Sequence, residues 1–169
     1  MTNPTISALK DKLNTSTLHL ALLSIATGGV YPLLWLYKHQ DTIMMETDKA
    51  FSSRVMVIWM AVCFGIAGVL RPMIAPDSYG YTDPTSDTLS ILVGLLFIAN
   101  SALCIVWAFR ARAALQHYAL TQFRFELKMS PVWTALFSLY YICRCINAMP
   151  DELAKHQIIH GKPLTTETL

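Results

Sequence analysis

Cys143 and Cys145 stand one residue apart, and His156 and His160 follow four residues apart. Thiolate and imidazole together make a zinc ligand set, and histidines at i and i+4 share one helix face. The one-residue cysteine spacing is tighter than zinc patterns use, however, and Arg144 between the thiols opposes a cation. The expectation is therefore no metal and no cofactor. Serine, histidine and aspartate all occur, but no Gly-x-Ser-x-Gly elbow, Gly-rich phosphate loop or paired-carboxylate motif accompanies them. The sequence predicts a non-enzymatic protein with no catalytic residues.

Asn100, followed by Ser101, lies in the middle of an apolar run. An amide in hydrocarbon needs a hydrogen-bond partner and is by default a site hypothesis. It serves either a bond to a neighbouring helix or the recognition of a partner or pore. No acid falls in the runs 55–74 and 89–109, which argues against a carboxylate proton relay. Small residues mark the same runs: Ala61, Gly65 and Gly68 share a face of the first, and Ser90 and Gly94 form a pair on the second. Small residues let backbones approach where lipid gives no hydrophobic drive. They predict either packing of the two runs on each other or contact with another protein. Arg71 and Arg144 border apolar segments and suit snorkelling anchors, with an anion or acidic partner as the alternative.

The elements that carry these residues follow from composition. Hydrophobic residues make up 54% of the 169 and charged residues 14%, against about 25% charged in soluble domains. The apolar residues are concentrated in four blocks, at 18–37, 55–74, 89–109 and 131–148. This predicts a single all-α integral membrane domain over 1–169. Two clear spanning helices (55–74 and 89–109) are flanked by two apolar blocks that are hairpin-like or additional spans. Amphipathic cytoplasmic helices are expected near 39–54 and 110–130. The first block carries Gly28, Gly29 and Pro32 at its centre, which suits a helix–turn–helix hairpin with Tyr31, Trp35 and Tyr37 in the interfacial aromatic belt. The last block is short, opens on Pro131 and contains Arg144. The tail from Pro150 is polar.

Charge placement argues for topology. Eleven of the thirteen Lys and Arg lie in the N-terminal tail, the stretches 38–54 and 110–130, and the C-terminal tail. The loop Pro76–Asp87 holds three acids and no Lys or Arg. Two spans with hairpin outer blocks put all eleven positives on one side, as the positive-inside bias prefers; four crossings would divide them. Both termini are then cytoplasmic. The layout reads as a palindrome and raises a pseudo-twofold arrangement. The formal charge of +2, without a basic patch interleaved with aromatics, gives no reason to expect nucleic acid. The four cysteines sit in or beside apolar blocks as small hydrophobes.

The stretch Gly29-Val30-Tyr31-Pro32-Leu33-Leu34-Trp35-Leu36-Tyr37-Lys38 resembles the opening of a family of small bacterial membrane proteins of unknown function. Their first apolar segment reads Gly-x-Tyr-(Gly or Pro)-x-x-Trp-x-Tyr-Lys. The resemblance covers about twenty residues and implies the bacterial inner (cytoplasmic) membrane, with no activity attached. The general build is also similar to immunity proteins against pore-forming bacteriocins and membrane toxins. The expected function is intramembrane binding of another integral membrane protein, most concretely neutralisation of a membrane-inserted toxin. Asn100, Ala61, Gly65, Gly68, Ser90 and Gly94 are the expected partner-binding residues, within surrounding membrane lipids. A small channel or transporter subunit (a homo-oligomer) and a membrane-shaping hairpin protein are the alternatives.

Overall fold

The computed structural model describes residues 6–74 and 84–159. Among them 85% are helical and none lies in a strand. The order is α1 (Ala8–Leu13), α2 (Thr17–Ala26), α3 (Val30–Thr47), α4 (Arg54–Leu70) with a 3₁₀ turn at Arg71–Met73, α5 (Pro84–Phe123) and α6 (Pro131–Ile159).

The first apolar block is a helix–turn–helix, for reasons visible at each residue. Helix α2 has 10 residues and rises only about 15 Å. It then ends in a Schellman motif: Gly28 N–H bonds Ile25 O at 3.2 Å and Gly29 N–H bonds Ser24 O at 2.8 Å. Gly28 (φ +60°) and Gly29 (φ +93°) supply the left-handed backbone this needs. Thr27 Oγ1 donates to Leu23 O (2.7 Å) and accepts from Tyr31 N–H (3.0 Å), so one hydroxyl serves both helices. Pro32 falls in the first turn of α3, where its missing N–H would have had no partner.

Helix α3 runs unbroken to Thr47 and closes on left-handed Asp48. The separate surface helix expected near 39–54 is thus absent: its first half is the end of α3, burying Gln40, Ile43 and Thr47, and residues 48–53 are not helical. Lys12–Glu46 ties α1 to α3, and Arg54–Asp41 ties α4 to α3. Helix α1, in the N-terminal tail, docks Leu9 and Leu13 into the core.

Among the described residues two helices are long and apolar enough to cross a membrane, Arg54–Met73 and Asp87–Phe123. Only 17% and 6% of their most apolar windows are buried within the chain, the reverse of a soluble protein's core helix. Ile58, Trp59, Ile66 and Val69 on α4, and Ile91, Leu95 and Ile98 on α5, all face outward. Ser53 caps α4 by accepting from Met56 N–H at 3.3 Å.

Helix α5 has 40 residues, about 60 Å of continuous helix. The amphipathic helix expected over 110–130 is corrected in two ways. Its apolar face packs inside the chain, with Ala111, Ala114, Leu115, Tyr118 and Ala119 buried. It also stops at Phe123, where Arg124 turns left-handed (φ +55°). Residues 124–130 return along α5 without helical structure, burying Phe125, Leu127 and Met129 while Glu126 and Lys128 stay exposed. Arg112 Nε donates to Met129 O (3.1 Å) and Gln116 Nε2 to Leu127 O (3.2 Å), lashing this segment down.

Helix α6 breaks at Ser138 (φ +37°, ψ −108°) and otherwise continues through Pro150 to Ile159. The polar tail expected from Pro150 is therefore helical as far as Ile159. The Thr-rich end, like residues 75–83 of the acidic loop, lies outside the described residues. The two halves of the palindrome are built differently, because the first amphipathic stretch continues a hairpin arm and the second continues a span candidate. The core gathers Trp35, Ile43, Met60, Trp107, Leu115, Ile142 and Ile146.

Candidate functional site

A cavity of about 330 Å³ lies where the hairpin turn, α4, α5 and the break in α6 meet. Gly29, Pro32, Leu33 and Leu36 contribute from the hairpin, Phe64 from α4, Asn100, Cys104 and Trp107 from α5, and Leu136–Tyr140 from α6. The turn fits closely against Phe64: a Cβ on Gly29 would stand 3.2 Å from two carbons of that ring. Across the cavity, Tyr140 hydroxyl and Ser24 hydroxyl are 2.5 Å apart, tying α6 to α2. The left-handed Ser138 bends α6 at the level of the cavity.

Two lining residues carry buried polar atoms without a partner, Oδ1 of Asn100 and Nε1 of Trp107. Seven residues apart, they lie on one face of α5 two turns from each other, with Cys104 between. Among the described residues no Asp, Glu, Lys, Arg or His lines the space. The site therefore offers an unpaired acceptor and an unpaired donor in apolar surroundings, a setting for recognition without charge.

Asn100 thus belongs to an internal wall. The small residues do not: Ala61, Gly65, Gly68, Ser90 and Gly94 are all exposed, and nothing lies within 4 Å of a Cβ placed on Gly65, Gly68 or Gly94. The expected packing of the two runs through these faces is overturned. Helices α4 and α5 are in contact, but the buried positions are Val57, Met60 and Ala67 on α4 and Val93, Trp107 and Ala108 on α5. The glycines are turned aside from the buried faces of both helices.

Of the belt residues, Tyr37 is exposed and Tyr31 is half-buried, as is Pro32 of the turn. Trp35 is corrected to a core position at 2% exposure, its ring 5.1 Å from that of His39. The turn at Gly28–Gly29 sets the phase of α3 so that Trp35, Leu36 and Ile43 face inward. His39, half-buried, has its pKa lowered from 6.5 by burial and secondarily by Lys38.

The cysteine–histidine set separates. Cys143 Sγ lies 3.6 Å from Thr15 O and 3.8 Å from Thr17 Oγ1, while Asn147 Nδ2 donates to Thr15 O (3.0 Å) and Thr17 Oγ1 (3.3 Å). These bonds fasten the start of α2 to α6. Cys145 instead borders a second cavity of about 640 Å³ with Lys128, Trp133, Tyr141, Arg144 and Glu152. His160 lies outside the described residues, and among those no three metal-binding side chains converge.

Sequence reasoning missed Trp107, Ser24 and Tyr140. Trp107 carried a usable signal, since it repeats Asn100 at i+7. The pairing of Ser24 with Tyr140, 116 residues apart, carried none. Comparison with protein-family models, curated proteins and solved structures gives no match to this chain.

Proposed function

We propose that the chain is an integral inner-membrane protein of bacteria that works without catalysis, by binding another membrane-embedded protein. In this reading α4 and α5 are the spans, α2–α3 and the kinked start of α6 enter from one side, and both termini are cytoplasmic. The observation that carries it is the unused outer face of the spans. Gly65, Gly68 and Gly94 lie open amid exposed apolar residues, so a partner helix can approach the backbone there. Lipid covers apolar side chains equally well, but only another helix gains from a gap left by missing ones.

The most concrete form is immunity, in which contact at this face holds an inserted pore-forming toxin in a non-conducting state. Equal depolarisation of cells with and without the protein, under a cognate toxin, would sink that form. The general reading is tested by in-cell photocrosslinking from probes at Ala61 and Gly94, since Asn100 faces the interior. A discrete foreign membrane protein on both probes supports it and names the partner. Self-crosslinks alone transfer the case to a homo-oligomer, and lipid adducts alone remove partner binding.

A further inference from the structure

Trp107 is 1% exposed, lines the cavity of about 330 Å³ and holds an indole N–H with no partner. Asn100 lines the same cavity and holds a buried carbonyl oxygen with no partner. An orphaned buried donor or acceptor costs free energy that a matching occupant returns. The geometry then restricts the occupant. Among the described residues the lining has no ionisable group except the Cys104 thiol and the Tyr140 phenol, so a charged headgroup finds no counter-charge and would be desolvated without return. Asn100 and Trp107 stand seven residues apart, about 10 Å along the helix axis between their backbone positions, which suits separate atoms of the occupant for donor and acceptor. The volume holds roughly eleven groups of methylene or water size at about 30 Å³ each, which suits one chain and a small head. Leu136 and Phe137 line the cavity and are also exposed on the outer surface, which gives a chain its exit toward lipid.

We propose that this cavity binds an uncharged single-chain lipid whose head carries both a hydroxyl and a carbonyl, as in a monoacylglycerol. The hydroxyl donates to Asn100 Oδ1, the carbonyl accepts from Trp107 Nε1–H, and the acyl chain leaves past Leu136 and Phe137. This site is separate from the open glycine face. It rests on reading α4 and α5 as spans, and incorporation into lipid nanodiscs, scored first by size exclusion, fails separately if that reading is wrong.

The test uses the full chain in phosphatidylcholine nanodiscs and three photoreactive, clickable probes of equal chain length: a monoacylglycerol, a fatty acid and an alkane. The monoacylglycerol probe should label peptides containing Leu136–Tyr140 or Asn100–Trp107, and excess unlabelled monoacylglycerol should displace it. Asn100→Leu and Trp107→Phe should each cut that labelling about three- to tenfold, the loss of one hydrogen bond. Asn100→Leu should not lower the melting temperature, since Oδ1 bonds nothing within the chain, whereas Trp107→Phe leaves a gap in the core and should lower it modestly. The intact fold of Asn100→Leu keeps unfolding from imitating lost binding. Equal labelling by the fatty-acid or alkane probe overturns the proposal. So does undiminished labelling of Asn100→Leu, or labelling confined to other peptides.

Discussion

Alanine at Gly29 strikes the hairpin turn in two ways. At φ +93° the backbone lies beyond the left-handed region near +57°, where an L residue already costs about 1–2 kcal/mol. The new Cβ would also stand 3.2 Å from two Phe64 ring carbons, so either the ring turns or the hairpin lifts from α4. Gly28 is the internal control, since it has φ +60° and nothing within 4 Å of its Cβ position. Gly28→Ala should therefore cost about 1 kcal/mol, the backbone penalty alone. Gly29→Ala should cost about 2–4 kcal/mol, the greater backbone strain plus overpacking. Reversible unfolding in mixed micelles measures both. Repeating Gly29→Ala in a Phe64→Leu background removes the ring and should return about 1 kcal/mol as a coupling term in the double-mutant cycle. Equal losses at the two glycines, or no coupling to Phe64, would refute the argument that the turn is seated on that ring.

Gln40 is fully buried with neither amide atom paired, so Gln40→Met, which keeps the shape, should raise stability by about 1–3 kcal/mol. A loss above about 1 kcal/mol would mean that the amide is satisfied in the native protein. The pKa of His39 is lowered from 6.5, so the unfolded chain takes up this proton first as pH falls. Its contribution is full above about pH 6.5 and is lost as pH drops toward the folded pKa. Melting scans from pH 7.5 to 5 should accordingly show a decline that flattens in His39→Gln, and an unaltered slope counts against the burial argument. Ser53→Ala removes the cap on Met56 N–H and should cost about 1 kcal/mol, read in the same micelle assay.

Much of the fold is readable from residue types. The Gly28–Gly29 pair with Pro32 three residues on suits a helix–turn–helix, and a helix–turn–helix is what forms, closed by a Schellman motif. The two apolar runs become α4 and the first part of α5. The errors have physical causes. Phe123 and Leu127 fit a 3.6-residue repeat, yet Phe125, Leu127 and Met129 fit a repeat of two, with Arg124, Glu126 and Lys128 between them; the extended segment follows the second pattern. Ser138 interrupts α6 with neither glycine nor proline to signal it, and Pro150 fails to interrupt it. The direction of the small-residue faces depends on how bulkier neighbours such as Met60 and Val93 settle, which spacing alone leaves open. Asn100 was legible as a buried amide, whereas its company in the cavity depends on segments far away in the chain.

The unbroken length of α5 has a mechanical consequence. About 30 Å of its roughly 60 Å is enough to cross a hydrocarbon core, and the rest continues beyond it without a hinge. A stiff rod pivoting near its middle turns angle into travel: about 5° of tilt displaces a tip some 30 Å away by roughly 2.5 Å. For such a pivot Asn100 and Trp107 would lie near the fulcrum, and Arg112 and Gln116 would carry the lashed segment 124–130 on the arm. If α5 spans as proposed, a reorientation at lipid depth would be delivered, enlarged, to its far end.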